Sequence, residues 1–372
     1  MKNTATSIDP AGAAARLSRI AQARRAVLQE RRVLASGALA PWIENSWQRC
    51  LSLGLHPQQR VVFDQVSPQQ MRRTTEANQQ MVQAARPMLE QLGHAIANTR
   101  YFAILTNADG VVVDAGGAID RSDPRADNIT RVGTDLSEHS VGTTAIGAAL
   151  TDLQPVWLHR GEHFFADTSI YSCAGAPLFG PDGRCIGMLD LTGIEAVERP
   201  ELKHLVRQSA RRIENALLRR QPHHLLLRLN WPGNALGSDA DGMLGLDGDG
   251  WITAANQVAR QMVPDLAAVG RTPVHASEVF GSACGLLFDA ARRGDASLEI
   301  PLWSGLRLQV LALERAGAIP ARAPLADARP LKDIEASLIR QAVEQARGNV
   351  AQAALALGIS RATVYRKLGK PK

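Results

Sequence analysis

Residues 348–370 read GNVAQAALALGISRATVYRKLGK, and this stretch decides what kind of fold the C-terminal part of the sequence adopts. Asn349 followed three residues later by Gln352 is a capping-box start for a helix over 350–357. Gly358 and Ile359 interrupt that helix, and Ser360 can cap a second one by accepting from its first-turn N–H groups. Two short helices about such a break predict a helix-turn-helix. On a helical wheel Val364 and Leu368 share the inner face, Ala362 and Arg366 point the opposite way, Thr363 and Tyr365 flank them, and Arg361 and Lys367 lie at the sides. The second helix is a rod of roughly 12 Å, which suits a DNA major groove. Arginine can bridge guanine O6 and N7, threonine can meet a thymine methyl or a phosphate, and lysines can hold phosphates. The candidate DNA-contacting residues are therefore Ser360, Arg361, Ala362, Thr363, Tyr365, Arg366, Lys367 and Lys370. Upstream, 333–346 aligns Ile334, Leu338, Ala342 and Val343 on one helical face, a surface to bury within this domain or against a second copy of it.

Charge is segregated in the same sense. Over 329–372 there are nine Lys and Arg against three acids, a net +6, and the whole 372-residue chain also carries +6, so the first 328 residues sum to zero. A neutral body joined to a basic segment is the layout of a sensor or enzyme attached to a polyanion-binding module. An apolar content of 45% with 21% charged residues is that of a folded chain, and the length suits two or three domains. Cysteines at 50, 173, 185 and 284 include no C-x-x-C pair, so neither a zinc ribbon nor a disulfide framework is signalled. The first residues lack an apolar signal core and no run of 18 apolar residues occurs, which predicts a cytoplasmic protein without a membrane partner.

Working back along the chain, residues 12–35 and 41–55 read as helices, the second with Trp42, Ile43, Trp47, Cys50 and Leu51 at helical spacing. A third helix runs over 68–98. YFAILTNADGVVVDAGG then has the pattern of strand, Asp109–Gly110 turn, strand. A helix near 140–150, strands PVWLHR, SCAGAPLFG and RCIGMLDLTG, and a long helix from 201 complete an antiparallel α+β unit. GMLGLDGDGWITAANQVARQMV repeats the strand, turn, strand, helix logic, GLRLQVLALE adds a late strand, and an Ala- and Pro-rich stretch reads as a linker. The expected division is an N-terminal helical region at 1–80, a sensor domain at 81–221, a second sheet domain at 236–314, a linker at 315–330 and the helix-turn-helix domain at 331–372. The fold class is multi-domain α+β followed by an all-α domain.

These residues carry a family resemblance. NVAQAALALGISRATVYRKL resembles, over about 40 residues, the Fis-type DNA-binding domain of bacterial enhancer-binding activators. NSWQRCLSLGLHP, GTDLSEHSVGTTAIGAAL, EHFF, SCAGAPLFGPDG and IGMLDLTG resemble the acetoin-catabolism-type activators of that group. The resemblance implies a GAF domain, which senses small molecules, then a PAS-like domain, and dimerisation through the helix at 333–346. It favours Arg361 as a base reader, whereas the wheel favours Arg366. The sequence departs from the family at Thr144, where Asn is usual, and near Leu136 and Tyr171, where Trp is common. If those positions shape the cavity, the effector differs from that of the relatives.

A small-molecule pocket needs an apolar cavity with a few polar anchors. Glu138, Thr143, His163, Cys173 and Asp190 stand inside apolar or glycine-rich segments and are the candidate effector-binding residues. Gly133, Gly142 and Gly147 are read as turn and packing positions. HRGEH, residues 159–163, formally matches the inverted zinc-protease pattern H-x-x-E-H through His159, Glu162 and His163. Such a site needs both histidines one turn apart on a helix, and Gly161 with the preceding strand disfavours it. Cys173 and Cys185, on neighbouring strands, are read as inert thiols rather than a redox pair.

Full-length relatives carry an ATPase module with a G-x-x-x-x-G-K-[ST] loop between sensor and DNA-binding domain. No such loop occurs here, and the linker at 315–330 leaves no room for the module. The expectation is a dimeric, effector-responsive, sequence-specific DNA-binding regulator, not an enzyme and without a cofactor. It would act by recruiting or blocking RNA polymerase or by pairing with an ATPase-bearing relative. A Fis-like architectural protein and, more remotely, a zinc hydrolase are the alternatives.

Overall fold

The computed structural model describes residues 10–32, 39–295 and 297–314, together with Ile339, Val343, Ala346, Val350, Gln352, Ala354 and Val364. Contacts divide the chain into two units, Met1–Arg315 and Ala316–Lys372.

Three helices lead the first unit. α1 (Pro10–Arg24) passes into a π-helical turn at Arg25–Gln29, α2 spans Pro41–Ser52 and α3 spans Pro68–Ala95. The helix expected over 12–35 stops early, with Arg31 already at a positive φ of 52°. α3 starts cleanly because the Ser67 hydroxyl accepts from the Gln70 N–H and Pro68 occupies the first helical position. It runs unbroken through the boundary expected between 80 and 81, so the helical region and the sensor share an element.

β1 (Tyr101–Asn107) and β2 (Val112–Gly116) form the expected hairpin, with Gly110 at φ +83° in the turn. The helix expected near 140–150 is interrupted. After α4 (Pro124–Thr130), α5 (Glu138–Val141) ends where Gly142 adopts φ +67°, and α6 (Ala145–Asp152) restarts with the Thr144 hydroxyl accepting from Gly147 N–H. A Cβ at Gly142 would lie 2.8 Å from the Phe165 ring, so both backbone and space require glycine there. β3 (Val156–His159), β4 (Tyr171–Phe179) and β5 (Cys185–Ile194) complete an antiparallel sheet of order β2-β1-β5-β4-β3.

α7 (Leu202–Arg220) leads straight into a second antiparallel sheet made by β6 (Leu225–Asn230), β7 (Gly242–Leu246), β8 (Ile252–Ala255), β9 (Leu298–Pro301) and β10 (Arg307–Glu314), with helices α8 (Gln257–Met262), α9 (Ala276–Val279) and α10 (Gly285–Arg293) between β8 and β9. Its order, β8-β7-β6-β10-β9, is that of the first sheet if β6 is counted as the last strand. The second sheet thus takes its central strand from the front of the segment, and the domain start expected at 236 is corrected to about 225. β6 pairs with both β7 and β10, so tertiary pairing defines it rather than any hairpin of its own.

The first sheet is the middle of three layers. Ala103, Leu105, Ala174, Leu178 and Leu191 pack against α3 and α7. Phe102, Ile104, Cys173, Met188 and Ile194 pack against α4, α5 and α6. A further cluster joins Val27, Ile43, Trp47 and Cys50 to Phe164 and Phe165. The sheets are tied by the β4–β5 turn, where the Pro181 carbonyl accepts from Ala255 N–H at 3.0 Å and from Arg260 Nη2 at 2.8 Å, and by a buried Asn256 Nδ2 to Asn215 Oδ1 bond of 2.8 Å.

In the second unit Ile339, Val343, Val350, Ala354 and Val364 are helical and pack together, with Ile339, Ala354 and Val364 buried. Val343 and Val364 thus take the packing roles expected of them; Ile339, absent from the face chosen by sequence, is also buried, while Ile334, Leu338, Ala342 and Leu368 lie outside the described residues. Among the described residues no helix is long and apolar enough to cross a membrane.

Candidate functional site

The three-layer arrangement leaves a cavity of about 30 Å³ between the first sheet and the α4–α6 layer. Its apolar walls include Phe63, Ile104 and Ile129, and its polar groups are Thr144, His163, Thr168, Tyr171, Cys173 and Thr192. Leu136, Thr144 and Tyr171, the three departures noted in the sequence, all line it. Tyr171 turns its hydroxyl to the Arg125 carbonyl at 3.0 Å and thereby offers the cavity mainly its ring.

One hydrogen-bonded chain runs from the cavity into the sheet. His163 Nδ1 lies 2.8 Å from the Arg160 carbonyl, an acceptor, so Nδ1 carries the proton and Nε2 is left as an acceptor. His163 is buried, and burial lowers its pKa to about 4, so the ring is neutral. Nε2 is 3.6 Å from Cys173 Sγ, which is 3.4 Å from Thr192 Oγ1, and the Thr192 hydroxyl donates to Asp190 Oδ2. Burial keeps the Cys173 thiol protonated and pushes Asp190 up to about 7, against the pull of the Thr192 hydroxyl. Asp190 Oδ1 has no hydrogen-bond partner. The surface of the cavity is therefore apolar, and behind it the polar atoms of His163, Cys173, Thr192 and Asp190 are bonded to one another rather than turned into it.

Of the five residues chosen from sequence, His163 and Cys173 line the cavity and Asp190 reaches it through Thr192. Glu138 and Thr143 do not face it, and their assignment is corrected. Glu138 accepts from Arg49 Nε at 2.6 Å, from Arg49 Nη2 at 2.9 Å and from Ser46 Oγ at 2.5 Å, while Ser46 Oγ is 2.7 Å from Thr143 Oγ1. These two residues latch α2 onto the α5–α6 bend. Gly147 serves the same joint, since a Cβ there would meet Glu138 Cβ at 2.8 Å.

The EHFF segment is divided among three tasks. His163 enters the cavity, Phe164 and Phe165 pack on α2, and both carboxylate oxygens of Glu162 accept from Arg16 Nη2 at 2.9 and 3.1 Å. Arg24 donates to the Gly161, His163 and Phe164 carbonyls, and Trp47 Nε1 donates to the Glu162 carbonyl at 2.9 Å. HRGEH is consequently no metal site. It follows a strand as a single 3₁₀ turn, His159 Nδ1 bonds Ser172 Oγ at 2.8 Å, and Glu162 is occupied by Arg16. Among the described residues no cluster of three His, Cys, Asp or Glu could hold a metal ion. Cys173 pairs opposite Thr192 and Cys185 opposite Phe179, at opposite ends of the β4–β5 ladder, and both are free thiols.

Sequence reasoning missed Thr168, Thr192 and Phe63. Thr192 was within reach, because Met188, Asp190, Thr192 and Ile194 share one face of β5 by strand alternation. Phe63 comes from a loop and carries no periodic signal. Among the DNA-contacting candidates, Ser360, Arg361, Ala362, Thr363, Tyr365, Arg366, Lys367 and Lys370 all lie outside the described residues.

Residues 18–215, more than half of the chain, match the family described as MimR, N-terminal domain. The chain belongs to the MimR N-terminal-domain family. The cavity, its hydrogen-bonded chain and the α2 latch all fall inside the matched MimR segment. Residues 330–370 match a second family, described as bacterial regulatory protein, Fis family. The chain is similar to the acetoin catabolism regulatory protein of Cupriavidus necator, 32% identical over 67% of this chain and 37% of that protein. It is also similar to the propane 2-monooxygenase operon transcriptional activator MimR of Mycolicibacterium goodii, 30% identical over 50% of this chain and 31% of that one. The chain spans about a third of the length of these curated relatives. A chain in the crystal structure of the E. coli DhaR(N)–DhaL complex shows a loose likeness, with a TM-score of 0.45 at 16% identity, covering 74% of this chain and 100% of that one.

Proposed function

We propose that this chain is a cytoplasmic, effector-responsive, sequence-specific DNA-binding transcriptional regulator, working as a homodimer and without an ATPase of its own. The observation that carries this reading is the joining of a MimR-type sensor segment to a Fis-family match at 330–370 in one chain. The parts are the α1–α3 helical region, the first sheet with its cavity, the second, PAS-like sheet from about 225 to 314, a linker and the helix-turn-helix. Its effector is a small, uncharged and largely apolar molecule, because the cavity is small, its surface is apolar and none of the residues lining it supplies a countercharge. Effector binding would shift the spacing of two recognition helices, which engage both half-sites only when about one DNA turn apart. The outcome is recruitment or exclusion of RNA polymerase, or pairing with an ATPase-bearing relative.

The test begins with selection of binding sites from random DNA by the full chain. Arg361→Ala should then cost about 1–3 kcal/mol on the selected site and relax its specificity, whereas Lys370→Ala should weaken all sequences alike. Binding that prefers no sequence and bends every duplex would instead indicate an architectural protein. No binding at low ionic strength would end the reading.

A further inference from the structure

The opposite side of the first sheet carries a differently built concavity. A groove of about 500 Å³ lies between α7, the far end of β4 and α8. β3 pairs with β4 only over Ser172–Gly175, so Ala176 to Phe179 forms an open sheet edge along this groove, and Pro177 there has no N–H to offer an added strand.

Lys203, Arg207 and Arg211 stand one turn apart along the groove face of α7. None of the three makes an ion pair or side-chain hydrogen bond among the described residues. Arg211 is half-buried, and burial followed by the neighbouring Arg207 charge lowers its pKa. A cation desolvated without a counterion is costly, and an incoming anion removes that cost. The nearest acid does not supply it. Glu214 is 6% exposed and accepts from the Phe179 N–H at 2.9 Å, and burial pushes its carboxyl up to about 8, so it is protonated at neutral pH.

The other end of the groove has no charge. Phe179 is tied to Glu214, and Asn256, which caps α8, is tied to Asn215. This end, where Gln257 and Gln261 also line the wall, therefore lies three turns of α7 from Lys203, about 16 Å away. A cationic end that can grip phosphate oxygens and an uncharged end, where the Gln257 and Gln261 amides can hydrogen-bond a heterocycle, are the two halves of a recognition site for a phosphorylated ring compound.

We propose that this groove binds a phosphorylated small molecule with a planar head, its phosphates on Lys203, Arg207 and Arg211 and its ring at the Phe179, Gln257 and Gln261 end. The site is separate from the cavity under α4–α6 and gives the sensor a second input, whether or not the chain binds DNA.

Calorimetric titration of the full chain with ADP and with pyrophosphate tests it. ADP should bind more tightly than pyrophosphate and lose affinity as salt is raised. Arg207→Ala with Arg211→Ala should weaken ADP about tenfold or more without lowering the melting temperature, which should rise as the uncompensated charge is removed. Gln261→Ala should weaken ADP and leave pyrophosphate alone, a second readout that does not depend on the arginine variant folding. Wild-type affinity should also fall from pH 7 to pH 9 as the Glu214 carboxylate forms, and Glu214→Gln should remove that fall. Arg211 of its own helix is the charge that acts on Glu214; Lys203, His204 and Arg207 of that helix also line the groove, while β4 and α8 contribute no titratable side chain to it. No heat with millimolar ADP, or an arginine variant that binds like wild type, would overturn the proposal, and pyrophosphate binding as tightly as ADP would overturn its ring end.

Discussion

The two sheets share a strand order but differ in how much of each strand is hidden. Every residue of β1 is buried, whereas β10 alternates between buried and more exposed positions before ending exposed. α3 and α7 cover one face of the first sheet and α4–α6 the other. The second sheet packs α8–α10 on one face, and only a patch of its other face, Leu226, Met243 and Ala254, meets Leu218 of α7. Large apolar side chains such as Trp303, at 68% exposure, are left outside. A sheet roofed on both sides can enclose a cavity, and burial beneath that roof is what shifts His163 and Asp190 away from their ordinary titration ranges. The cavity and its perturbed groups are thus consequences of layering.

The sharpest way to break this contrast is to substitute consecutive residues. Ile104→Ala and Leu105→Ala, on opposite faces of β1, should each cost about 2–5 kcal/mol. On β10, Leu308→Ala should cost a similar amount, whereas Gln309→Ala should stay within about 0.5 kcal/mol. Urea unfolding of the four variants measures this. A cheap Ile104→Ala would show that the α4–α6 roof is loosely packed.

A smaller effect tests desolvation directly. Asp190 binds its proton more tightly folded than unfolded, so it disfavours the native state progressively as pH rises from about 4 to about 7. His163 has the opposite sign. Its lowered pKa makes stability rise with pH between about 4 and 6.5. Asp190→Asn should therefore be more stable relative to wild type at pH 8 than at pH 5, by on the order of 2 kcal/mol. Melting temperatures at both pH values decide it, and an equal difference at both would mean that Asp190 is not desolvated.

The smallest effect concerns the α2 latch. Glu138→Gln removes a carboxylate that holds Arg49 and Ser46, with Arg49 partly in solvent, so the loss should be about 1 kcal/mol. Hydrogen exchange confined to α2 and the α5–α6 bend would show that the latch acts locally.

Much of the fold was legible because it is written in short-range terms. Ser67 and Asn256 cap their helices, Gly110 and Gly250 make their turns, and β1, β4, β5 and β10 follow apolar runs of strand length. β6 and β9 escaped notice. β6 lacks a tight hairpin signal and is a strand because β7 and β10 flank it, whereas β9 does join β10 through a tight turn with Gly305 at φ +84° and is simply short. At the cavity, His163 and Cys173 were visible as polar residues in apolar segments. The same signal misled at Glu138 and Thr143, which look identical in sequence but find their partners on α2, some ninety residues away.

By itself, the sequence determined the starts of α2, α3 and α7, the Asp-Gly turns, most strands, the charge separation and the Fis-like segment, since each depends on residues a few positions apart. Only the tertiary structure decided that Leu136, Thr144 and Tyr171 share one cavity with His163, that HRGEH is a turn clamped by Arg16 and Arg24, and that Arg211 forms no ion pair among the described residues. The reason is that periodicity tells which face a side chain takes, whereas the group it meets there is supplied by an element folded in from far along the chain.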